Sequence, residues 1–130
     1  SGLLALFNRA EPAHERVAAV VETESDALVV SPYVLAELDY LLATRAGVVA
    51  ELAVLEELSS GAYDLAAIDA ADLARARTVV ERYRDQAIGL TDASLVVLAD
   101  RYATRTILTL DRRHFDVVRP TGGGRFRCLP

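Results

Sequence analysis

The sequence lacks Lys, Met and Trp altogether, and it has a single Cys, at position 128. One cysteine excludes an internal disulfide and is typical of proteins in a reducing cytoplasm. Long hydrophobic runs are absent too. Charged residues interrupt every apolar stretch before it reaches the roughly 18 residues that a membrane-spanning helix needs. We therefore expect a cytoplasmic protein with no membrane partner.

Positive charge is also scarce. The 130 residues carry 14 basic and 19 acidic side chains, and the net charge of −5 argues weakly against a nucleic-acid partner. However, net charge does not show where the charges lie. A metal-binding nuclease needs clustered carboxylates, which make its net charge more negative. All the basic residues are Arg, whose planar fork of donors suits phosphate. A genome that favours Arg codons would explain the same composition, so both interpretations stay open.

The length fits a single domain with a real core, because 52% of the residues are hydrophobic. Helical periodicity and β-rich runs alternate along the chain, which favours an α/β fold with a central parallel sheet covered by helices. In such folds ligands bind at the carboxyl ends of the strands. The patterns predict helices over residues 2–7, 12–23, 31–45, 48–58, 69–85 and 91–104, and strands over 27–30, 63–68, 106–110 and 125–129.

Glu37 shares a face with the apolar stripe of the helix that begins near residue 31. Val34, Leu38, Leu41 and Leu42 form this stripe, three or four residues apart. A lone buried carboxylate there would be strongly destabilising. Glu37 is therefore expected to bind a metal ion, to pair with a cation, or to lie hydrated at the edge of the stripe.

Asp92 opens the helix predicted from residue 91, on the face of Leu95 and Val96. A metal-binding role competes here with a structural one. Thr91 or Asp92 is a natural N-cap residue, and an acid in the first turn suits the helix dipole.

Asp111 directly follows the strand predicted over residues 106–110, where a parallel sheet has its ligand site. The alternative is an aspartate that forms a turn and caps the next segment, and Asp116 is a nearby alternative acid. Arg112 and Arg113 are candidate phosphate contacts or simply solvated surface residues.

Three acids at element boundaries along one sheet edge point to a hard divalent cation such as Mg²⁺, which prefers oxygen ligands. Zinc fits less well, because His14, His114 and Cys128 lack metal-ligand spacing. The glycine run at 122–124 precedes a predicted strand and has no accompanying Lys, so it is not a P-loop.

Four segments of the sequence resemble the motifs of the VapC-type PIN-domain ribonuclease toxins. Their order and spacing make the resemblance specific, and it covers essentially the whole chain. The first resembles the stretch after the family's first catalytic aspartate, and the other three contain the acids discussed above. The segments are residues 1–7, residues 31–38 with Glu37, residues 89–94 with Asp92, and residues 108–115 with Asp111 and Thr109.

The resemblance implies a single PIN domain over residues 1–130, a three-layer α/β/α sandwich with a five-stranded parallel sheet. It also implies RNA cleavage that depends on Mg²⁺ or Mn²⁺. Glu37, Asp92 and Asp111 would be the catalytic metal ligands, with Thr109 in support. Homodimers and inhibition by a cognate VapB-type antitoxin are implied as well.

The resemblance places a first strand and its catalytic aspartate before Ser1, with the acid two residues upstream. We expect that the sequence given begins after both. A PIN-like module that binds RNA or a protein without cutting it is the alternative function.

The helices predicted over residues 12–23, 32–45 and 48–58 are rich in Ala, Val and Leu. In the last of these, apolar residues cover more than one face. We expect these helices to form a groove for an amphipathic antitoxin helix, unless the sheet and neighbouring helices cover them.

Overall fold

A computed structural model describes all 130 residues, which form two compact units. The C-terminal unit comprises Ser1–Gly2 and Ile68–Pro130, and the N-terminal unit comprises Leu3–Ala67. No helix in either unit is both long enough and apolar enough to span a membrane.

The N-terminal unit contains four helices and two short strands. Its longest helix begins at Pro32, whose fixed φ suits the first helical turn, and the Ser31 hydroxyl accepts the Tyr33 N–H at 3.2 Å. A second helix begins after Gly47, whose φ of 87° favours glycine. The elements are α1 (Gly2–Phe7, whose first residue belongs to the other unit), α2 (His14–Thr23), β1 (Val29–Val30), α3 (Pro32–Arg45), α4 (Val48–Leu58) and β2 (Asp64–Leu65).

The core of this unit lies where α3 and α4 pack together. Each helix contributes two apolar residues four positions apart to one buried cluster, because that spacing aligns side chains on one helical face. The fully buried members of the cluster are Leu3, Val30, Leu38, Leu42, Val54 and Leu58.

The C-terminal unit contains three helices and two strands. Asp69 caps its first helix: its carboxylate accepts the Asp72 N–H at 2.8 Å, and the Asp72 carboxylate accepts the Asp69 N–H in return. The elements are α5 (Ala70–Arg82), α6 (Leu90–Arg101), β3 (Thr106–Leu108), α7 (Arg113–Val117) and β4 (Arg127–Leu129).

Helices α5 and α6 pack against each other, and α6 also contacts β3. Phe115 and Phe126 meet edge to face with their ring centroids 5.8 Å apart, and they join α7 to the same core. This core holds β3 and α7 in place, so it positions the residues on either side of Asp111.

The strands form two parallel pairs, β1 with β2 and β3 with β4, and Ile107 lies opposite Cys128. All four strands predicted from the sequence are present, but each is only two or three residues long. The implied five-stranded sheet is therefore not formed by this chain, which contains four strand segments. Backbone hydrogen bonds continue past the strand ends, as from the Thr109 N–H to the Leu129 carbonyl at 2.9 Å.

Candidate active site

Asp92 lies in the first turn of α6, but it does not cap the helix. The helix begins at Leu90 after Gly89, and no side chain caps it. The predicted capping role of Thr91 or Asp92 is therefore wrong, because the start of α6 lies one residue earlier than expected. The Asp92 side chain is 31% exposed, and its Oδ2 is 2.6 Å from His114 Nδ1.

His114 lies on α7, and sequence reasoning considered it only as a zinc ligand. A carboxylate oxygen accepts, so the Nδ1–H of His114 donates a hydrogen bond to Asp92 Oδ2. No local signal in the sequence indicates this role, because it depends on the approach of α7 to α6. The imidazole connects α7 to the first turn of α6.

The carboxyl end of β3 is held by hydroxyl groups. Thr109 is buried, and its Oγ1 accepts the Asp111 N–H at 3.1 Å and donates to the Asp111 carbonyl at 3.0 Å. Ser1 Oγ accepts the Leu110 N–H at 3.1 Å and lies 3.3 Å from Thr109 Oγ1. These contacts fix the backbone at Asp111 and bring the start of the first motif to the same strand end.

The Asp111 carboxylate pairs with Arg113 through both oxygens, and Oδ1 is 2.9 Å from Arg113 Nε. The same oxygen accepts the Arg113 backbone N–H at 3.2 Å, which confirms the turn that the sequence suggested as an alternative. Hydrogen bonds from the Arg113 side chain and backbone hold the pKa of Asp111 well below its usual range. The charges of Arg113 and His114 add to this effect.

Arg112 and Arg113 differ in what they contact. Arg113 is engaged by Asp111, so it is not a free cation. Arg112 is exposed and lies near the Cys128 thiol. Of these two arginines, Arg112 has a guanidinium without a carboxylate ion-pair partner, and both remain predicted phosphate contacts.

Glu37 lies on α3 of the N-terminal unit and is exposed. Its neighbours Leu38 and Leu42 are buried, so Glu37 occupies the hydrated edge of the stripe that the sequence allowed. Its role as a metal ligand stays a prediction from its motif.

Neither unit gathers three His, Cys, Asp or Glu side chains into a group that could hold a metal ion. The C-terminal unit nevertheless offers two carboxylates, those of Asp92 and Asp111, and each faces a cationic or hydrogen-donating side chain. Two carboxylates are the protein contribution that Mg²⁺ commonly uses, with water and substrate phosphate completing its shell. The chemistry of these donors therefore fits a hard divalent cation.

The chain is similar to known proteins over almost all of its length. The PIN domain model matches residues 1–119. Ribonuclease VapC26 of Mycobacterium tuberculosis (strain ATCC 25618 / H37Rv) is 62% identical over 130 residues, which are 100% of this chain and 96% of that protein. The crystal structure of Mycobacterium tuberculosis VapC20, described as a sarcin–ricin loop cleaving toxin, superimposes with a TM-score of 0.79. That match covers 86% of each chain at 20% identity, and it confirms the predicted α/β fold class.

Proposed function

Since the chain belongs to the PIN-domain family, and within it to the VapC-type ribonucleases, we propose that it hydrolyses RNA phosphodiesters as the toxin of a type II toxin–antitoxin pair. The structural observation that best supports this activity is the pair of acids in the C-terminal unit. Asp92 has no capping role, Asp111 lies three residues after Leu108, the last residue of β3, and His114 hydrogen-bonds Asp92.

Asp92 and Asp111 are the proposed ligands of Mg²⁺ or Mn²⁺. When bound, such an ion polarises the phosphate and lowers the pKa of an attacking water. Thr109 fixes the backbone that carries Asp111, and His114 orients the Asp92 carboxylate. Glu37 is the third proposed ligand, on the strength of its motif, and Arg112 and Arg113 are the proposed phosphate contacts.

The proposed activity is tested by Asp92→Asn, which removes a charge but almost no volume. We expect this variant to lose Mg²⁺-dependent cleavage of labelled total bacterial RNA and to bind Mn²⁺ more weakly in calorimetry. Asp85→Asn is the matched control, because Asp85 is an exposed acid outside the four motifs and makes no ion pair. The control should keep its activity, and the thermal melting of both variants should match that of the unmodified chain.

Full activity of Asp92→Asn would remove Asp92 from the site. If the unmodified chain binds RNA but does not cut it in Mg²⁺ or Mn²⁺, the non-cleaving PIN-like module becomes the better description.

A VapB-type antitoxin is the proposed protein partner. Its docking surface is the face of α4 that carries exposed apolar side chains, among them Val49 at 81% and Leu52 at 60% exposure. An amphipathic helix of the antitoxin would cover this apolar face. A homodimer in the cytoplasm is proposed on the family resemblance.

A further inference from the structure

A cavity of about 390 Å³ opens in the C-terminal unit between α5 and α6, apart from the acidic residues of the candidate active site. Its volume lies within the roughly 300–1,000 Å³ range of ligand pockets. Its lining includes Thr78, Val79, Val96, Val97, Arg82 and Arg119.

The lining of the cavity is amphipathic. Val96 and Val97 are buried and Val79 is half-buried, so part of the wall is apolar. The Tyr83 ring also lines the cavity, and its hydroxyl accepts the Arg119 N–H at 3.1 Å, which ties the segment after α7 to the end of α5. The hydrogen bond therefore holds the cavity wall in place, and an apolar part of a ligand would contact its valine side chains.

The charge of the lining is positive, against the chain's net charge of −5. Arg75, Arg82 and Arg119 contribute three guanidinium groups, and Asp100 is the only acid. Arg75 is paired with Asp72, whereas Arg82 makes no ion pair and Arg119 hydrogen-bonds only a backbone carbonyl through its side chain. A cavity with apolar walls and guanidinium groups without carboxylate partners suits a ligand with a flat apolar part and a phosphate.

The cavity and the candidate active site share helix α6. Val96 and Asp100 follow Asp92 along α6, and eight residues of helix span about 12 Å. Arg119 follows α7, whose His114 contacts Asp92. A short stretch of single-stranded RNA could therefore place one phosphate near Asp92 and another nucleotide at the cavity.

We propose that this cavity is a nucleotide subsite for RNA, in which a base enters between the valines and its phosphate faces Arg82 and Arg119. The proposal rests on the proposed ribonuclease function, because RNA is the ligand that this activity requires. The subsite would help to select which RNA is bound.

The test measures binding of a fluorescein-labelled single-stranded RNA of about 12 nucleotides to the Asp92→Asn chain without divalent metal, so that no cleavage interferes. In that background, Arg82→Ala/Arg119→Ala removes two guanidinium groups of the cavity. We expect roughly tenfold weaker binding, because charge-assisted hydrogen bonds to phosphate are lost. The slope of log affinity against log salt should also fall by about 1.

The matched control is Arg77→Ala/Arg84→Ala, which removes the same charge from positions that do not line the cavity. Arg77 lies on the opposite face of α5 from Arg75 and Arg82, since successive helical residues are about 100° apart. This control should bind RNA nearly as well as the Asp92→Asn chain. A second cavity variant, Thr78→Trp, fills the space without changing charge and should also weaken binding.

Equal losses of RNA affinity in the cavity and control variants would mean that general electrostatics causes the effect, and this result would overturn the subsite. Unchanged binding by Thr78→Trp would overturn entry of the base, and no RNA binding by the Asp92→Asn chain would overturn the whole proposal. The two hypotheses fail differently. If the unmodified chain cleaves RNA but Arg82→Ala/Arg119→Ala leaves RNA affinity unchanged, only the subsite is refuted. If Arg82→Ala/Arg119→Ala selectively loses RNA binding but the unmodified chain does not cleave RNA, only the ribonuclease function is refuted.

Discussion

Asp72 is the only buried carboxylate in the chain, and its ion pairs connect two helices. Arg101 of α6 lies 2.7 Å away and Arg75 of α5 lies 3.1 Å away. Removal of one partner of a buried pair is strongly destabilising, but the Arg101 side chain is 38% exposed and can regain water. We therefore expect Asp72→Ala to lower the free energy of unfolding by about 2 kcal/mol.

Urea unfolding measures this loss, and Glu81→Ala provides the comparison. Glu81 pairs with Arg77 at 3.1 Å on the solvent face of α5, where an ion pair contributes at most about 0.5 kcal/mol. Equal effects of the two substitutions would show that burial of Asp72 does not determine its contribution.

His114 is expected to act through Asp92 rather than on the substrate. Its Nδ1–H engages Oδ2 and leaves Oδ1 for a metal ion. Loss of such an outer partner typically weakens metal affinity roughly 10–100-fold. We expect His114→Ala to bind Mn²⁺ at least about tenfold more weakly, and His114→Asn, whose amide can donate from nearly the same place, to restore much of the affinity.

Calorimetric titration with Mn²⁺ provides this readout independently of cleavage. His14→Ala is the control, since His14 Nδ1 hydrogen-bonds the Ala5 carbonyl at 2.8 Å in the other unit. If His114→Ala binds Mn²⁺ as tightly as the unmodified chain, the contact with Asp92 is only structural.

The same residues show which parts of the candidate site can be predicted from the sequence. Asp92 and Asp111 could be predicted as candidate site residues because each lies at a predicted element boundary within a recognised motif. His114 could not, because its role depends on the approach of α7 to α6, and no local pattern encodes that distance. The absence of a capping role for Asp92 also needed the structure, since a shift of one residue in the helix start moves the cap to Gly89.

Among the elements, the longer helices were the most predictable. Helix α4 has the predicted bounds, and α3 and α6 begin within one residue of them, because apolar residues repeat at helical spacing. Helix α5 ends three residues earlier than predicted, since Arg84–Gln86 form a separate 3₁₀ turn. Helix α7 was not predicted as a helix, because its five residues are too few for periodicity to show.

Strand β4 places the lone cysteine in the core beside β3, and its chemistry follows from that position. Burial raises the pKa of the Cys128 thiol, although the nearby Arg112 partly opposes this effect. The thiolate is the reactive form, so we expect native Cys128 to react with iodoacetamide at pH 8 at least about tenfold more slowly than the urea-unfolded chain.

The sign of the pH effect follows from the raised pKa. The folded chain holds the thiol proton more tightly than the unfolded chain, so this contribution to stability is complete below the unfolded thiol pKa of about 8.5. It is lost as the pH rises above that value. Cys128→Ser should remove this part of the pH dependence in urea unfolding at pH 7 and pH 10. Equal alkylation rates of the native and unfolded chains would mean that β4 opens readily.

Across the molecule, some apolar surfaces are buried and others are left in solvent. The N-terminal unit buries one face of α4 through Val54 and Leu58 but leaves its other face in solvent. The sequence predicted this, because the apolar residues of α4 cover more than one face. Composition could not predict where the arginines of the C-terminal unit gather, since a net charge of −5 contains no positional information.

The exposed face of α4 provides the test of the proposed antitoxin surface. We expect Leu52→Glu/Leu55→Glu to weaken binding of the cognate VapB-type antitoxin, because two charges would have to be buried against its apolar helix. A loss of affinity of at least about 100-fold is expected, since burial of each charge costs well over 1 kcal/mol.

Leu65→Glu/Leu73→Glu is the matched control, because these leucines are similarly exposed but lie outside α4. Surface plasmon resonance measures the affinity, and light scattering establishes whether the variant changes self-association instead. Antitoxin binding at unchanged affinity, with nuclease inhibition intact, would place the antitoxin on another surface and leave the α4 face to a second copy of the chain.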